Sequence, residues 1–344
     1  MRHEVTAALA GIAAAVEVLA PRELSVHGRR VDLDAELPVS RESLFFHPDP
    51  LLSRLQQEIY QTFYACITAG PGQGQERHRR GPSNERLLGP FARANAGRER
   101  WDEGWTVFHK LEDGSVIARR DERVRRFPPG QYVYDGLPPM PHDGFEVRVR
   151  VHRESRGAHA GFYHSFGEHL PDQQADDGLL RFYWNVARDG AVPLIREVTS
   201  RFNRFQVPFR LKCLAAGYSY ERLDPAVLYV GKRYVWITLE LVREVYPRVA
   251  DRMRERTPLF TRRLAPGLAL AEDPGTGGSF GTDRCLAVAE GLKAAFAAGG
   301  GTPGGRLAAL LARFAAREIS LDAPYLRRAD CDPFGLQELE LGLG

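Results

Sequence analysis

The chain has 344 residues, of which 43% are hydrophobic and 26% charged, and its formal net charge is +3. This composition is typical of a soluble globular protein with a sizeable core. So small a net charge gives no argument for a nucleic-acid or membrane partner, and no run of eighteen apolar residues occurs. The four cysteines form no CxxC pair, which argues against a zinc ribbon or a disulfide framework and predicts a cytoplasmic location.

The N-terminal third is predicted to be mainly helical. Residues 5–20 carry apolar side chains at helical spacing, which favours a packed helix over a signal peptide, and residues 50–67 repeat the pattern. The Gly-, Pro- and Arg-rich stretch 70–84 is predicted to be a mobile loop. We therefore expect an N-terminal helical region over 1–95, with loop 70–84 as a candidate for substrate or partner recognition, followed by the main domain over 96–344.

Residues beyond this region alternate between strand and helix patterns. Three segments, 145–152, 180–186 and 207–213, show the period-two alternation of strands with one buried face, and a fourth strand is predicted at 226–230. Helices are predicted at 192–205, 234–255, 283–297 and 305–318. The fold class is α+β, with an antiparallel-leaning sheet, helices packed on one face and the N-terminal helical region.

The polar sides of the three alternating strands are unusually basic. Arg210 and Lys212 share one side of the third strand, whereas Arg181, Tyr183 and Asn185 share one side of the second. Arg148 and Arg150 do the same on the first. If the three strands belong to one sheet, these cations gather around a site that calls for an anion, and the guanidinium fork matches the oxygens of a phosphate.

Lys212 stands out because only four of the 47 basic residues are lysines. A lysine among arginines, partly removed from water, has a lowered pKa and can act as a base. Removal of the proton α to the carbonyl of a phosphothreonine would expel phosphate by β-elimination, with arginines stabilising the leaving group. Tyr183 is the first candidate for the acid that protonates the leaving oxygen, and His164 is the second. Arg210 and Arg181 are predicted as the main phosphate ligands, with Arg148 and Asn185 in support.

The glycine-rich segment 275–284 (GTGGSFGTDR) allows several interpretations. It contains the GxSxG pattern of serine hydrolases, but a turn rather than a buried strand precedes it, so we set that interpretation aside. A turn that binds an anion through its backbone amides, with Thr282 as helix N-cap and with Ser279 and Arg284 on the same phosphate, remains open beside a plain tight turn. No histidine, cysteine or carboxylate cluster has metal-ligand spacing, and we expect neither a metal nor a cofactor.

Several segments together resemble the HopA-type type III effector family. They are RFYWNV, the run from REVTSRFNRFQVPFRLKCL through DPAVLYV, and PGLALAEDPGTGGSFGTDRCLAVAEGL, within roughly residues 140–297. The resemblance is closest to the branch found in biosynthetic clusters for class V lanthipeptides and thioamidated peptides. The resemblance implies functional positions at Arg181, at Lys212 and in the GGSFGTDR loop, residues 277–284.

The resemblance implies a phosphothreonine/phosphoserine lyase that needs no cofactor. A separate kinase of the aminoglycoside-phosphotransferase type would phosphorylate a ribosomal precursor peptide, and this protein would eliminate the phosphate to give dehydrobutyrine or dehydroalanine. Two alternatives remain. One is a phosphopeptide or nucleic-acid reader that uses the same basic strands, and the other is an effector-like interaction protein without chemistry.

Overall fold

The computed structural model describes residues 1–67, 85–121, 123–135, 142–156, 161–170, 178–216, 220–275, 278–339 and 342. The predicted recognition loop 70–84 lies outside these residues. The described part contains helices and three antiparallel sheets, and the predicted α+β class is confirmed. None of the helices in these ranges is long and apolar enough to cross a membrane.

The N-terminal region contains a small sheet as well as helices. Its elements are α1 (Arg2–Ala15), β1 (Val16–Ala20), β2 (Glu23–Val26), β3 (Arg29–Asp32), α2 (Pro50–Ile59), a π-helix (Tyr60–Tyr64) and α3 (Glu85–Ala94). The first predicted helix is therefore shorter than expected, because Val16 already has extended backbone and begins β1. Helix α2 begins at Pro50 behind Asp49, whose carboxylate accepts hydrogen bonds from the amides of Leu51 and Leu52.

The next segment forms a five-stranded antiparallel sheet, called here the small sheet. It contains β4 (Arg100–Lys110), β5 (Val116–Arg120), β6 (Arg123–Phe127), β7 (Tyr132–Val133) and β8 (Glu146–Val151), in the order β6-β5-β4-β8-β7. Its core is separate from the rest of the molecule and is built around Trp105, Val107, Phe127, Val147 and Val149. The segment 145–152 therefore contains a strand, as predicted, and this strand belongs to the small sheet.

The large sheet has seven antiparallel strands and carries the remaining predicted strands. It contains β9 (Glu154–Ser155), β10 (Phe162–Phe166), β11 (Leu179–Trp184), β12 (Phe209–Leu214), β13 (Ala226–Gly231), β14 (Arg262–Ala265) and β15 (Leu268–Glu272), in the order β14-β15-β11-β13-β12-β10-β9. Its apolar side includes Phe182, Leu211 and Leu228, which are all fully buried. Helices α4 (Ala191–Arg204) and α5 (Val235–Val249) pack against its central strands.

Two C-terminal helices join the large sheet to the N-terminal region. Helix α6 (Phe280–Ala297) packs against α2 and β1, and α7 (Pro303–Ala316) packs against α6 and α1. The N-terminal elements, the large sheet and these helices share one continuous hydrophobic core. The predicted boundary at residue 95 therefore does not separate two hydrophobic cores. The small sheet, by contrast, has a hydrophobic core of its own.

Candidate functional site

The polar side of the large sheet brings several predicted residues into two rows. In the first row, Lys212 on β12 lies opposite His164 on β10 and opposite Val227 on β13, and Val227 lies opposite Tyr183 on β11. Residues paired across antiparallel strands point to the same side of the sheet. Lys212, His164 and Tyr183 therefore share one surface, with Tyr183 two strands away from Lys212.

The second row contains the two predicted phosphate-binding arginines. Arg210 and Arg181 both lie opposite Tyr229, one on each neighbouring strand. The guanidinium carbons lie 4.2 Å and 5.3 Å, respectively, from the centre of the Tyr229 ring. We call the surface formed by Arg181, Tyr183, Arg210, Lys212 and His164 the basic face.

Lys212 occupies the environment that a catalytic base requires. Its side chain is half-buried, and its Nζ lies 3.7 Å from the centre of the Phe162 ring. It forms no ion pair with any described residue, unlike Lys232, whose Nζ donates to Glu272 at 2.7 Å. Burial and the nearby Arg222 guanidinium lower the pKa of Lys212 to about 8, against the opposing effect of Asp224.

A buried network that the sequence analysis missed lies beside Lys212. Arg222 donates to both carboxylate oxygens of Asp224, at 2.5 and 2.9 Å, and the Tyr60 hydroxyl donates to the same carboxylate at 2.8 Å. Burial favours the neutral acid, but Arg222 and Tyr60 outweigh it and lower the pKa of Asp224. The Arg222 guanidinium also lies 5.8 Å from the Phe162 ring that Lys212 covers. The available signal was an Arg-x-Asp-Pro sequence directly before the buried strand β13.

The π-helix brings the N-terminal region into the site. π-Helices are rare in proteins, and those that do occur often lie at functional sites. Besides the Tyr60 hydrogen bond, Tyr64 packs against Gly281, where a Cβ atom would lie 2.4 Å from Tyr64 Cε1 and 2.8 Å from Tyr60 Cε2. Gly281 therefore allows the two tyrosines to approach the first turn of α6.

Both candidate acids are buried. Tyr183 is 3% exposed, and burial raises the pKa of its phenol although Arg181 acts in the opposite direction. His164 is 2% exposed, and its ring stacks on Phe166 at 6.3 Å. Of the two, His164 is the direct cross-strand neighbour of Lys212.

Arg181 holds the glycine-rich segment in place. Its Nε donates to Asp273 at 3.0 Å, and its Nη2 donates to the carbonyl of Gly278 at 3.2 Å. The ion pair with Asp273 balances its charge. Arg181 thus fixes the chain just before α6, whereas Arg210 is exposed and forms no ion pair with the described residues.

The condition that all three alternating strands belong to one sheet is not met, because the first of them lies in the small sheet. Arg148 lies on β8 of the small sheet, where it is partly exposed and pairs with Asp135 at 3.2 Å, and the neighbouring Arg150 pairs with Glu99 at 2.9 Å. Period-two alternation identifies the polar side of a strand but not the sheet to which it belongs. Arg148 is therefore not a ligand of the basic face.

The predicted roles of Arg284 and Ser279 on a bound phosphate are also corrected. Arg284 is buried, and it donates to the carbonyls of Pro324 and Leu326 at 2.9 and 2.6 Å and to Asp283 at 2.6 Å, which commits it to holding the C-terminal segment. Ser279, rather than Thr282, is the N-cap of α6. Its hydroxyl accepts from the Thr282 amide at 3.1 Å in a capping box. Thr276 and Gly277 of this turn lie outside the described residues.

Asn185 also has a structural position. It follows the end of β11, and its Nδ2 donates to the carbonyl of Arg256 at 2.8 Å while its backbone pairs with Gly267 and Arg254. It is 1% exposed. The predicted phosphate contact would require this anchored loop to move, so we do not retain it. No cluster of three or more His, Cys, Asp or Glu side chains that could hold a metal occurs in the described ranges.

Comparison with known proteins decides the family. The model of the HopA1 effector protein family matches residues 154–326. The chain belongs to this family. The matched range includes the whole basic face, whereas the small sheet and the N-terminal region with Tyr60 lie outside it.

Two solved effector structures from Pseudomonas syringae resemble this HopA1 family member. The effector protein from pathovar tomato strain DC3000 is 24% identical, with a TM-score of 0.39 over 49% of this chain and 63% of its own. That from pathovar syringae strain 61 is 20% identical, with a TM-score of 0.36 over 48% and 63%. The chain thus covers less than two thirds of either effector. No curated protein matches.

Proposed function

We propose that this HopA1 family member is a phosphopeptide lyase that eliminates phosphate from phosphothreonine or phosphoserine. The observation that carries the proposal is the half-buried Lys212, which has no carboxylate partner among the described residues and lies beside the Arg222 guanidinium. A neutral amine next to fixed cations suits a reaction in which a base removes a proton while an anion departs.

In the proposed mechanism, Lys212 Nζ removes the proton from the α-carbon of the phosphorylated residue. The electron pair of the broken C–H bond forms the α,β double bond, and the β-carbon–oxygen bond breaks so that phosphate leaves with its electron pair. The products are a dehydroamino acid in the peptide and inorganic phosphate, with the proton retained on Lys212. No oxidant, reductant or cofactor is needed.

Arg210 and Arg222 are the proposed phosphate ligands. Arg210 is exposed at the rim of the basic face without a carboxylate partner in the described part of the chain, so its fork is available to an incoming phosphate. Arg222 is held by Asp224 and Tyr60 next to Lys212. Asp224 acts as a positioning residue, since its contacts are with Arg222 and Tyr60.

His164 is the better candidate for protonating the leaving oxygen. It lies directly opposite Lys212, whereas Tyr183 is separated from Lys212 by β13, about 9–10 Å across two strand spacings. The raised pKa of the buried Tyr183 phenol also makes it a weak proton donor. This ordering reverses the initial preference for Tyr183.

The substrate and the partner follow from the family resemblance rather than from geometry. The proposed substrate is a precursor peptide phosphorylated by a separate kinase of the aminoglycoside-phosphotransferase type. The proposed location is the cytoplasm, where such a kinase finds its ATP.

The test is a mass-spectrometric assay with a phosphothreonine peptide. The wild-type chain should release phosphoric acid and leave a dehydrobutyrine residue. Lys212→Ala should abolish this mass loss, while a matched change of another scarce lysine, the exposed Lys110→Ala, should preserve it. Peptide binding without mass loss by the wild-type chain would instead support the non-catalytic interaction protein.

A further inference from the structure

The edge strand β6 of the small sheet presents an unbalanced group of arginines. In the described residues β6 pairs with β5 alone, so its outer edge carries backbone groups without a strand partner. Arg123 and Arg125 lie on the same side of β6, which also faces the buried Ala118 of the neighbouring strand. Such an edge is a template for the addition of another strand.

The charges on this side of the sheet do not cancel. Asp102 is the buried carboxylate there, and it already pairs with Arg120 at 2.7 Å and with Arg100 at 3.1 Å. Arg123 and Arg125 form no ion pair with the described residues. Burial lowers the pKa of Arg125, with no carboxylate to compensate.

The imidazole of an adjacent histidine responds to this excess of positive charge. His169 follows β10, and burial together with Arg100 and Arg123 lowers the pKa of its imidazole. Its Nδ1 is buried and has no hydrogen-bond partner within the described part of the chain. A partly buried cationic cluster of this kind is stabilised when an anionic group binds to it.

We propose that β6 binds an extended acidic peptide segment, which adds to the small sheet as a sixth strand. Residues Arg123 and Arg125 are spaced by about 6.8 Å along β6, and alternate side chains of a paired peptide have the same spacing. Two carboxylates separated by one residue would therefore meet the two guanidiniums. A nucleic acid would satisfy the charge but not the strand edge.

Strand β6 lies outside the range matched by the family model, and peptide binding to it does not depend on the lyase proposal. The experiment accordingly measures binding alone, by fluorescence anisotropy, with the full-length chain carrying Lys212→Ala. The probe is a short fluorescent peptide with two glutamates separated by one valine. Its control has glutamines in place of the glutamates.

The glutamate peptide should bind at least about tenfold more tightly than the glutamine peptide. Arg125→Gln should remove most of that difference. Arg119→Gln, which changes an exposed arginine on the opposite side of the adjoining strand, should alter binding by less than about twofold. Equal losses with the two variants would show a diffuse charge effect and overturn the proposal.

Two N-methylated probes test for strand addition. Alternate amides of a paired strand point toward its neighbour. Methylation of one alternate set should therefore abolish binding, while methylation of the other set should preserve it. Binding that survives both modifications would rule out strand addition. A single-stranded oligonucleotide that binds more tightly than the acidic peptide through Arg125 would identify a nucleic-acid site instead.

Discussion

The burial that suits Lys212 to the proposed role of base also has a cost in stability. In the folded protein its pKa is lowered from 10.5 to about 8, chiefly by burial. The folded state therefore binds a proton less well than the unfolded chain does. The destabilisation is fully present below pH 8, decreases between about pH 8 and 10.5, and vanishes above that range.

Two measurements follow from this lowered pKa. The kcat/KM for phosphate elimination should rise with pH and level off above about 8, as the amine loses its proton. At pH 7, Lys212→Met should increase the free energy of unfolding by roughly 1–3 kcal/mol while abolishing elimination. Urea denaturation at pH 7 and at pH 10.5 measures the second effect, and a gain of equal size at both values would contradict the assignment.

Asp224 and Asp330 provide a matched comparison of buried and exposed pairs. Each aspartate accepts from an arginine two residues before it, but the Arg222 pair is 16% and 8% exposed, whereas the Arg328 pair is 58% and 69% exposed. Asp224→Asn leaves a buried guanidinium without its counter-charge and should cost about 3–5 kcal/mol of unfolding free energy. Asp330→Asn should cost less than about 1 kcal/mol.

Urea denaturation of the two variants decides this point. Similar losses would mean that Arg222 finds another partner or that solvent reaches the pair. The Asp224 variant should also show a lower kinetic pKa for elimination, because Asp224 opposes the lowering of the Lys212 pKa. A purely structural aspartate would leave that pKa unchanged.

At the scale of elements, the π-helix and the first turn of α6 depend on a glycine. A methyl group at Gly281 would overlap the Tyr64 and Tyr60 rings, so Gly281→Ala should destabilise the fold by about 1–3 kcal/mol and reduce elimination by displacing Tyr60 from Asp224. Gly11 is exposed in the middle of α1 with nothing within 4 Å. Gly11→Ala should therefore stabilise by about 0.5–1 kcal/mol.

Thermal unfolding measures the stability of the Gly281→Ala and Gly11→Ala variants. The elimination assay measures the activity of Gly281→Ala. A neutral Gly281→Ala would show that the tyrosines can move away without cost. The same experiment with Tyr60→Phe, which keeps the ring but removes the hydroxyl, separates packing from hydrogen bonding. Loss of activity in Gly281→Ala but not in Tyr60→Phe would assign the effect to packing.

For the whole molecule, the sequence predicts elements better than their assembly. The strands at 180–186, 207–213 and 226–230 and the helix at 192–205 occur within a few residues of their predicted bounds, because alternation or a short apolar run marks the strands and helical spacing of apolar residues marks the helix. Strands β10 and β15 were missed. Their sequences, FYHSF and LALAE, show no regular alternation of polar and apolar residues.

The candidate site was predictable only where it lies on regular strands. The alternation of β12 predicts that Arg210 and Lys212 share a side, and the register confirms this placement. Arg222, Asp224 and Tyr60 were missed because a loop and a distant π-helix bring them together, which no local pattern encodes. Arg148 was assigned wrongly because local alternation does not determine strand order.

The separate cores predict that the small sheet can be destabilised without loss of the proposed chemistry. Val149 belongs to the core of the small sheet and Val198 to that of the large sheet, and both are fully buried. Replacing either with alanine removes two methyl groups and should cost about 2–3 kcal/mol of local stability. Hydrogen exchange followed by mass spectrometry should show faster exchange in β4–β8 for Val149→Ala and in the large sheet for Val198→Ala.

The elimination assay then separates the two regions by function. Because the basic face lies on the large sheet, Val149→Ala should preserve kcat at temperatures where the amide hydrogens of β4–β8 exchange faster. Val198→Ala should instead lower kcat at the temperatures where the amide hydrogens of the large sheet lose their protection from exchange. The small sheet could also bind an acidic segment of the substrate peptide. In that case Val149→Ala should raise KM for a phosphothreonine peptide that contains the acidic segment, and should leave KM unchanged for a short phosphothreonine peptide that lacks it. Faster exchange throughout the molecule in both variants would contradict independent cores, since it would mean that the two sheets unfold as one unit.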